Sequence, residues 1–200
     1  MKVGRPLVLA SASPRRREIL TTLGVPFEVV PSEVDESRVP HGGTPAEYAI
    51  RVATAKGADV YARIAARADA PVVLSADTVV ALAGEIFGKP NDDEDARRML
   101  GALAGREHTV VTAVAVFDGA RGPRTVAVET AVVVDGLGAA TIDGYIASGE
   151  GRDKAGAYAI QGLGGGFVRA IRGSYGNVVG LPASESLELL RGAGVVLEWP

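Results

Sequence analysis

Leu7 to Ala10 is an unbroken apolar run bounded by Pro6 and Ser11, and it reads as a buried strand. Pro14 follows closely; proline is tolerated at the first helical position because its missing N–H would have no partner there, so a helix is predicted with Ser13 as its N-cap. Phe27 to Pro31 reads as a second short strand leading into the acidic segment Ser32 to Ser37. Thr44-Pro45-Ala46-Glu47 spells another helix start, with a hydroxyl at the N-cap, proline behind it and a carboxylate placed to close a capping box. That helix is predicted to run to about Ala68 with Ala49, Val52, Ala53 and Ile64 inward. Pro71 to Val80 is β-branched and almost continuously apolar, the pattern of a central strand covered on both faces.

The second half alternates in the same way. Gly84-Glu85 suits a tight turn, and Asp92 to Ala104 reads as an amphipathic helix. Glu107 to Phe117 and Thr125 to Val134 are long β-rich runs expected to pair antiparallel across a turn from Asp118 to Pro123. A helix from about Ala139 to Ser148, a glycine-rich region from Gly149 to Gly176 and a last helix from about Ser184 to Arg191 complete the chain. Helices mixed with strands, joined by both parallel-type and hairpin-type connections, predict an α/β fold with a mixed sheet. The 200 residues suffice for a substantial core and are expected to form one domain, residues 1–200.

Composition narrows the function classes. A formal charge of −3 argues against a polymeric nucleic acid partner, whose binders carry a basic excess, and 5% aromatic content gives little for stacking bases. With no cysteine there is no disulfide framework or thiolate chemistry, and His41 and His108 lie too far apart for a familiar zinc spacing. No apolar run approaches the ~20 residues of a membrane span, and the start of the chain lacks a signal-peptide core, so the cytoplasm is the default location.

Against that acidic background the stretch Leu9 to Leu20, LASASPRRREIL, places two hydroxyls, a helix start and three arginines in the turn after a strand. A helix N-terminus offers unpaired N–H groups and partial positive charge, and forked guanidiniums match phosphate oxygens. Ser11, Ser13, Arg15 and Arg16 are therefore candidate anion contacts, although a capped helix with a solvated basic face would look the same. Asp77 interrupts an apolar strand, where a carboxylate is costly unless paired or metal-bound. It is either a structural acceptor or a functional group, and its position suggests the end of a strand face opening into a cleft. Removing its charge is expected to leave stability level or higher. Glu33, Asp35 and Glu36 form either a solvated loop or a source of one carboxylate that joins Asp77 on Mg²⁺, an ion that needs only one or two protein carboxylates. In Asp153 to Gly162, DKAGAYAIQG, small residues let backbone approach a flat base and Gln161 offers both donor and acceptor; the competing reading is a core loop packed by Tyr158 and Ile160 with Gln161 a satisfied buried amide.

Ser11 to Arg16, Ser75-Ala76-Asp77-Thr78, Gly88-Lys89-Pro90, Asp153 to Gly162 and Gly173 to Pro182 (GSYGNVVGLP) together resemble the Maf family of nucleoside triphosphate pyrophosphatases, in its order and spacing over nearly the whole chain. The resemblance implies an elongated mixed sheet with surrounding helices and a central cleft, similar to the inosine triphosphatase fold. It implies Asp77 as catalytic acid–base residue, Lys56 and Lys89 as phosphate contacts, and Glu36 as the favoured metal carboxylate, with Asp35 a competitor. Arg15, Thr78 and Gln161 match the trio that sets specificity in members acting on dTTP and UTP; a sister subgroup acts on 7-methyl-GTP. Implied with it are a divalent cation, Mg²⁺, a small-molecule nucleoside triphosphate partner, release of monophosphate and pyrophosphate, and a homodimer without membrane association. The resemblance extends the expected substrates to modified pyrimidine triphosphates; the alternatives are the same reaction on a modified purine such as 7-methyl-GTP, or, because family members have also been linked to septum formation and cell-division arrest, a nucleotide-binding regulator. Two positions depart from the pattern: Val134-Asp135 stands where relatives carry Phe-Arg, and Ala183 where leucine is common.

Overall fold

The first strand pair is set by short extended ends of the chain: β1 (Lys2–Val3) lies antiparallel to β9 (Val196–Glu198). These come from a computed structural model that describes residues 2–119 and 122–198; of the expected turn from Asp118 to Pro123, residues 120 and 121 lie outside the described residues. Between them run β2 (Leu7–Leu9), α1 (Pro14–Thr22), β3 (Glu28–Val29), α2 (Pro45–Ile64), β4 (Val72–Leu82), β5 (Glu85–Phe87), α3 (Asp93–Leu103) and β6 (Glu107–Phe117). Then come β7 (Arg124–Val134), α4 (Ala139–Ala147), β8 (Val168–Arg172), α5 (Tyr175–Val179) and α6 (Ala183–Gly192).

The fold is α/β with a mixed seven-stranded sheet in the order β3-β2-β4-β6-β7-β8, β5 pairing with β4 off that path. β2 is parallel to β3 and β4, while β4–β5 and β7–β8 are antiparallel. β6 and β7 are neighbours joined by a connection too short for a parallel crossover, so they form the expected hairpin. β4 sits between β2 and β6, as its continuous apolar run predicts. Leu82 pairs with Glu85 across Ala83 and Gly84, whose φ values of 51° and 87° are both positive, the hallmark of a type I′ turn. β1, β5, β8, β9 and α5, each five residues or fewer, escape the sequence reading.

By contacts the chain divides into two compact units, Met1–Asp77 with Thr112–Val128 and Gly180–Pro200, and Thr78–Val111 with Glu129–Val179. In the first, the period-2 alternation of a strand explains the unbroken apolar runs. Leu7, Leu9, Val72 and Leu74 pack with Leu20 of α1 and Leu187 and Leu190 of α6. Val8 and Val73 point the other way, into a cluster with Val60 and Ile64 of α2. The second unit has its own core of Phe87, Met99, Leu100, Leu103, Val132, Ile142 and Tyr158.

α2 begins with the predicted capping box, Thr44 accepting from the N–H of Glu47 and Glu47 accepting from that of Thr44. Gly57 lies on its buried stripe because nothing larger fits: a Cβ there would sit 2.3 Å from the Phe117 ring and 2.6 Å from Ser75 Oγ. Gly57→Ala would gain about 1 kcal/mol of helix propensity against roughly 1–3 kcal/mol of overpacking. The expected outcome is a melting temperature lowered by a few degrees in a thermal scan; an unchanged or higher value would mean that the Phe117 ring yields freely.

Candidate active site

In the turn after β2, Ser11 is the hub. Its buried hydroxyl oxygen accepts from Ser13 N at 3.2 Å and from Arg16 Nη1 at 3.1 Å. Ser13 occupies the N-cap position of α1, as expected, but its side chain makes no cap hydrogen bond. The preceding serine has bonded the N–H of Ser13 itself, an ST-type turn that holds the chain as it enters the helix. Arg16 Nε donates to the Gly180 carbonyl at 2.8 Å, tying the start of α1 to the approach to α6. Burial pulls the Arg16 guanidinium below its usual value while Asp77 and, more weakly, Glu36 pull it up and Arg15 repels it. The arginine thus lies in the field of both carboxylates.

Asp77 is 6% exposed in the middle of β4. The strand continues to Leu82, so Asp77 does not end a strand face as the sequence suggested; the residues after it remain in the ladder. Lys56 supplies its counter-charge. Lys56 falls on the same stripe of α2 as the buried Val52, Ala53, Gly57 and Val60, which carries its ammonium inward. Lys56 Nζ lies 2.8 Å from Asp77 Oδ1 and 2.9 Å from Glu36 Oε1.

The acidic cluster separates into three roles. Asp35 accepts from Ser37 N and pairs with Arg38, and Glu33 pairs with Arg63. Glu36 is the carboxylate ion-paired with Lys56. Two carboxylates converging on one cation form a donor set that fits Mg²⁺, which takes its remaining ligands from water and phosphate. Among the described residues no group of three or more His, Cys, Asp or Glu is placed to hold a metal.

Tyr48, eight residues before Lys56 on α2, escaped the sequence reading. Burial raises its hydroxyl pKa, and Asp77 and Glu36 add to the rise, so the hydroxyl feels the field of both carboxylates. His41 stacks on it with ring centroids 5.0 Å apart. Arg51 donates to the carbonyls of Pro40 and Gly42 and so holds that loop against α2. Its signal was available: Tyr48, Val52 and Lys56 repeat every four residues.

In the second unit, Thr78 is half-buried directly after Asp77 on β4, Lys89 is exposed on the turn after β5, and Gln161 is exposed. The Gly88 carbonyl accepts from Gly156 N at 3.0 Å, fastening the turn of Lys89 to the Asp153 to Gly162 segment. Gly156 has φ of 69° and a Cβ there would come within 3.0 Å of Val80, so that close approach requires glycine. Tyr158 is buried, its hydroxyl 2.8 Å from Nε2 of His108. Burial pushes His108 down to about 4, so the ring is neutral near pH 7. Tyr158 and Ile160 pack into the core as a structural loop would, but Gln161 is not the buried amide of that reading.

Two other sequence features find a structural role. Asp135, one of the two departures from the family pattern noted above, pairs with Arg169, so its charge is answered locally. In GSYGNVVGLP, Asn177 is fully buried and donates to the Val110 carbonyl at 2.9 Å and to Thr130 Oγ1 at 2.8 Å.

A family described as Maf-like protein matches residues 6–193. A dTTP/UTP pyrophosphatase of Anaeromyxobacter sp. (strain Fw109-5) is 52% identical over 198 residues, covering 96% of this chain and 92% of its own. One from Sphingopyxis alaskensis is 47% identical over 192 residues, covering 96% and 98%. Among solved structures, a HAM1 protein from Coxiella burnetii aligns with a TM-score of 0.43 at 17% identity, over 94% of this chain and 97% of that one.

Proposed function

The chain belongs to the Maf family, and from that premise we propose that it is a hydrolase cleaving dTTP and UTP between the α and β phosphates to give the nucleoside monophosphate and pyrophosphate. Support comes from near-full-length identity to relatives bearing that name and from the full set of polar residues the resemblance assigns. The observation that carries the reading is the convergence of Asp77 and Glu36 on Lys56. Two carboxylates beside the cations repel a bare polyphosphate, so they suit a site that holds a divalent cation or takes a proton from water, and a hydrolase needs both.

In this reading Ser11, Ser13, Arg15, Arg16, Lys56 and Lys89 contact the triphosphate, and Arg15, Thr78 and Gln161 select the pyrimidine. Asp77 takes the proton of the attacking water or holds the cation. Asp77 and Glu36 are the residues that would hold Mg²⁺, which when bound makes water more acidic and neutralises phosphate oxygens. The cations around the phosphates stabilise the charge that builds as the bond breaks. The same resemblance leads us to propose a cytoplasmic homodimer. Among the described residues no helix is long and apolar enough to cross a membrane.

The test is incubation with a panel of nucleoside triphosphates and Mg²⁺, with pyrophosphate and orthophosphate measured separately. Pyrophosphate is expected from dTTP and UTP, with little orthophosphate and much less turnover of ATP or GTP. Predominant orthophosphate would defeat the reaction assignment, and a preference for purines would defeat the substrate class.

A further inference from the structure

The segment that carries Gln161 is fastened from behind by side chains to which the proposed chemistry gives no task. α4 is capped by Ser148, and the next residue, Gly149, with φ of 73°, donates its N–H to the Ile146 carbonyl at 2.9 Å and turns the chain out of the helix. Glu150 emerges from that cap with its own N–H donating to Ser148 Oγ at 3.3 Å. Its carboxylate is then shared among three donors. Oε1 accepts from the Tyr145 hydroxyl at 2.9 Å and from Gly164 N at 2.9 Å, and Oε2 accepts from Leu163 N at 2.7 Å. The Tyr145 oxygen in turn accepts from Ala159 N at 2.9 Å.

The backbone is thus gripped at residues 159, 163 and 164, on both sides of Gln161. Gly162 belongs to the same device, because a Cβ there would fall 2.1 Å from Glu150 Oε2. The carboxylate occupies the space a side chain would need, directly against the residue after Gln161. Burial opposes the charge on Glu150, and the N–H groups of Gly164 and Leu163 with the Tyr145 hydroxyl outweigh it, holding its carboxyl below the usual range. It is therefore a charged acceptor near neutral pH, the stronger kind.

An amide reads a base edge only if its donor and acceptor are held in a fixed direction, since its two ends exchange roles on rotation. Gln161 itself is exposed, so the backbone beneath it sets where its side chain starts and the direction in which it leaves. We propose that Glu150 is a specificity-positioning residue, which orients Gln161 toward the pyrimidine edge through the Leu163 and Gly164 N–H groups, with Tyr145 completing the brace at Ala159. This rests on the reading of Gln161 as the residue that recognises the base.

The test measures kcat and KM for UTP and for GTP on the wild type, Glu150→Gln, Gln161→Ala, the double variant and Tyr145→Phe. Glutamine at 150 keeps the volume but presents an amide N–H₂ to one of the backbone donors. Glu150→Gln is expected to lower the UTP-to-GTP ratio of kcat/KM by about tenfold, the scale of one hydrogen bond to a charged group. The loss should lie in KM for UTP, with GTP turnover almost unchanged, and the double variant should be no less selective than Gln161→Ala. Tyr145→Phe is isosteric, keeps its edge-on contact with Phe167 and so guards against misfolding at position 150; it should move the ratio the same way by less. A ratio that Gln161→Ala collapses but Glu150→Gln leaves intact would overturn the proposal while leaving Gln161 as base reader. Equal losses for UTP and GTP, accompanied by a lower melting temperature, would make Glu150 a structural brace and also overturn it. A ratio unmoved by Gln161→Ala would instead bring down the reading of Gln161 itself.

Discussion

Asp77→Asn is expected to lower turnover of UTP by roughly two or more orders of magnitude, the scale of losing a general base, while the fold survives. Asparagine keeps the volume and one acceptor oxygen but cannot take a proton at neutral pH and is a poor ligand for Mg²⁺. Binding without turnover should persist in part, because Arg15, Arg16, Lys56 and Lys89 retain their charges. The structure changes the sign of the stability effect. On sequence alone, removing a charge from an apolar strand predicts level or higher stability. Lys56 lies 2.8 Å from that carboxylate, however, with its side chain only 14% exposed, so Asn leaves a largely buried ammonium facing one negative charge fewer. Removing one partner of a fully buried pair costs about 3–5 kcal/mol. Here Glu36 stays on the same ammonium, so a smaller fall in melting temperature is expected. Near-normal turnover combined with much earlier melting would identify Asp77 as a structural acceptor and remove it from the chemistry.

What the sequence made legible follows from which interactions are local. The capping box of α2 is written in four consecutive residues, and the buried strands β2 and β4 in their apolar runs, so these elements appear where expected. β8, inside the glycine-rich region, and α5, at its end, were invisible because neither is long enough to establish a period, and each is held by distant partners. Asn177 bonds across to Val110 and Thr130, for example. The candidate site divides the same way. Asp77 stood out because a carboxylate within an apolar strand conflicts with its surroundings, and a pattern can register such a conflict. Lys56 carries a similar signal, a lysine on the buried stripe of a helix. Glu150 and Tyr145 carry none: their grip on residues 159 to 164 depends on how the chain returns after α4, and nothing in the spacing of a single Glu or Tyr encodes that.

The acidic segment before α2 yields the sharpest contrast. Three carboxylates within four residues are indistinguishable by composition, yet the structure gives them different partners. Glu33 faces Arg63 at 3.3 Å with its side chain 80% exposed, an ion pair of the kind worth about 0–1 kcal/mol. Asp35 closes its own short turn on Ser37. Glu36 shares Lys56 with Asp77. If Glu36 holds the cation, Glu36→Gln should lower kcat/KM for UTP by on the order of 10–100-fold, at least the loss seen for groups that merely orient a metal ligand. Part of that loss should return at high Mg²⁺, because the remaining carboxylate and the substrate phosphates still bind the ion, more weakly. Glu33→Gln should stay within about twofold of the wild type, as expected for a solvated pair. Chelation should abolish the activity of both variants, and added Mg²⁺ should restore it with a midpoint displaced upward in Glu36→Gln but not in Glu33→Gln. The discriminating measurement is that midpoint. If it is the same in both variants, the bond from Glu36 to Lys56 only buttresses the lysine, and the second metal carboxylate must be sought elsewhere.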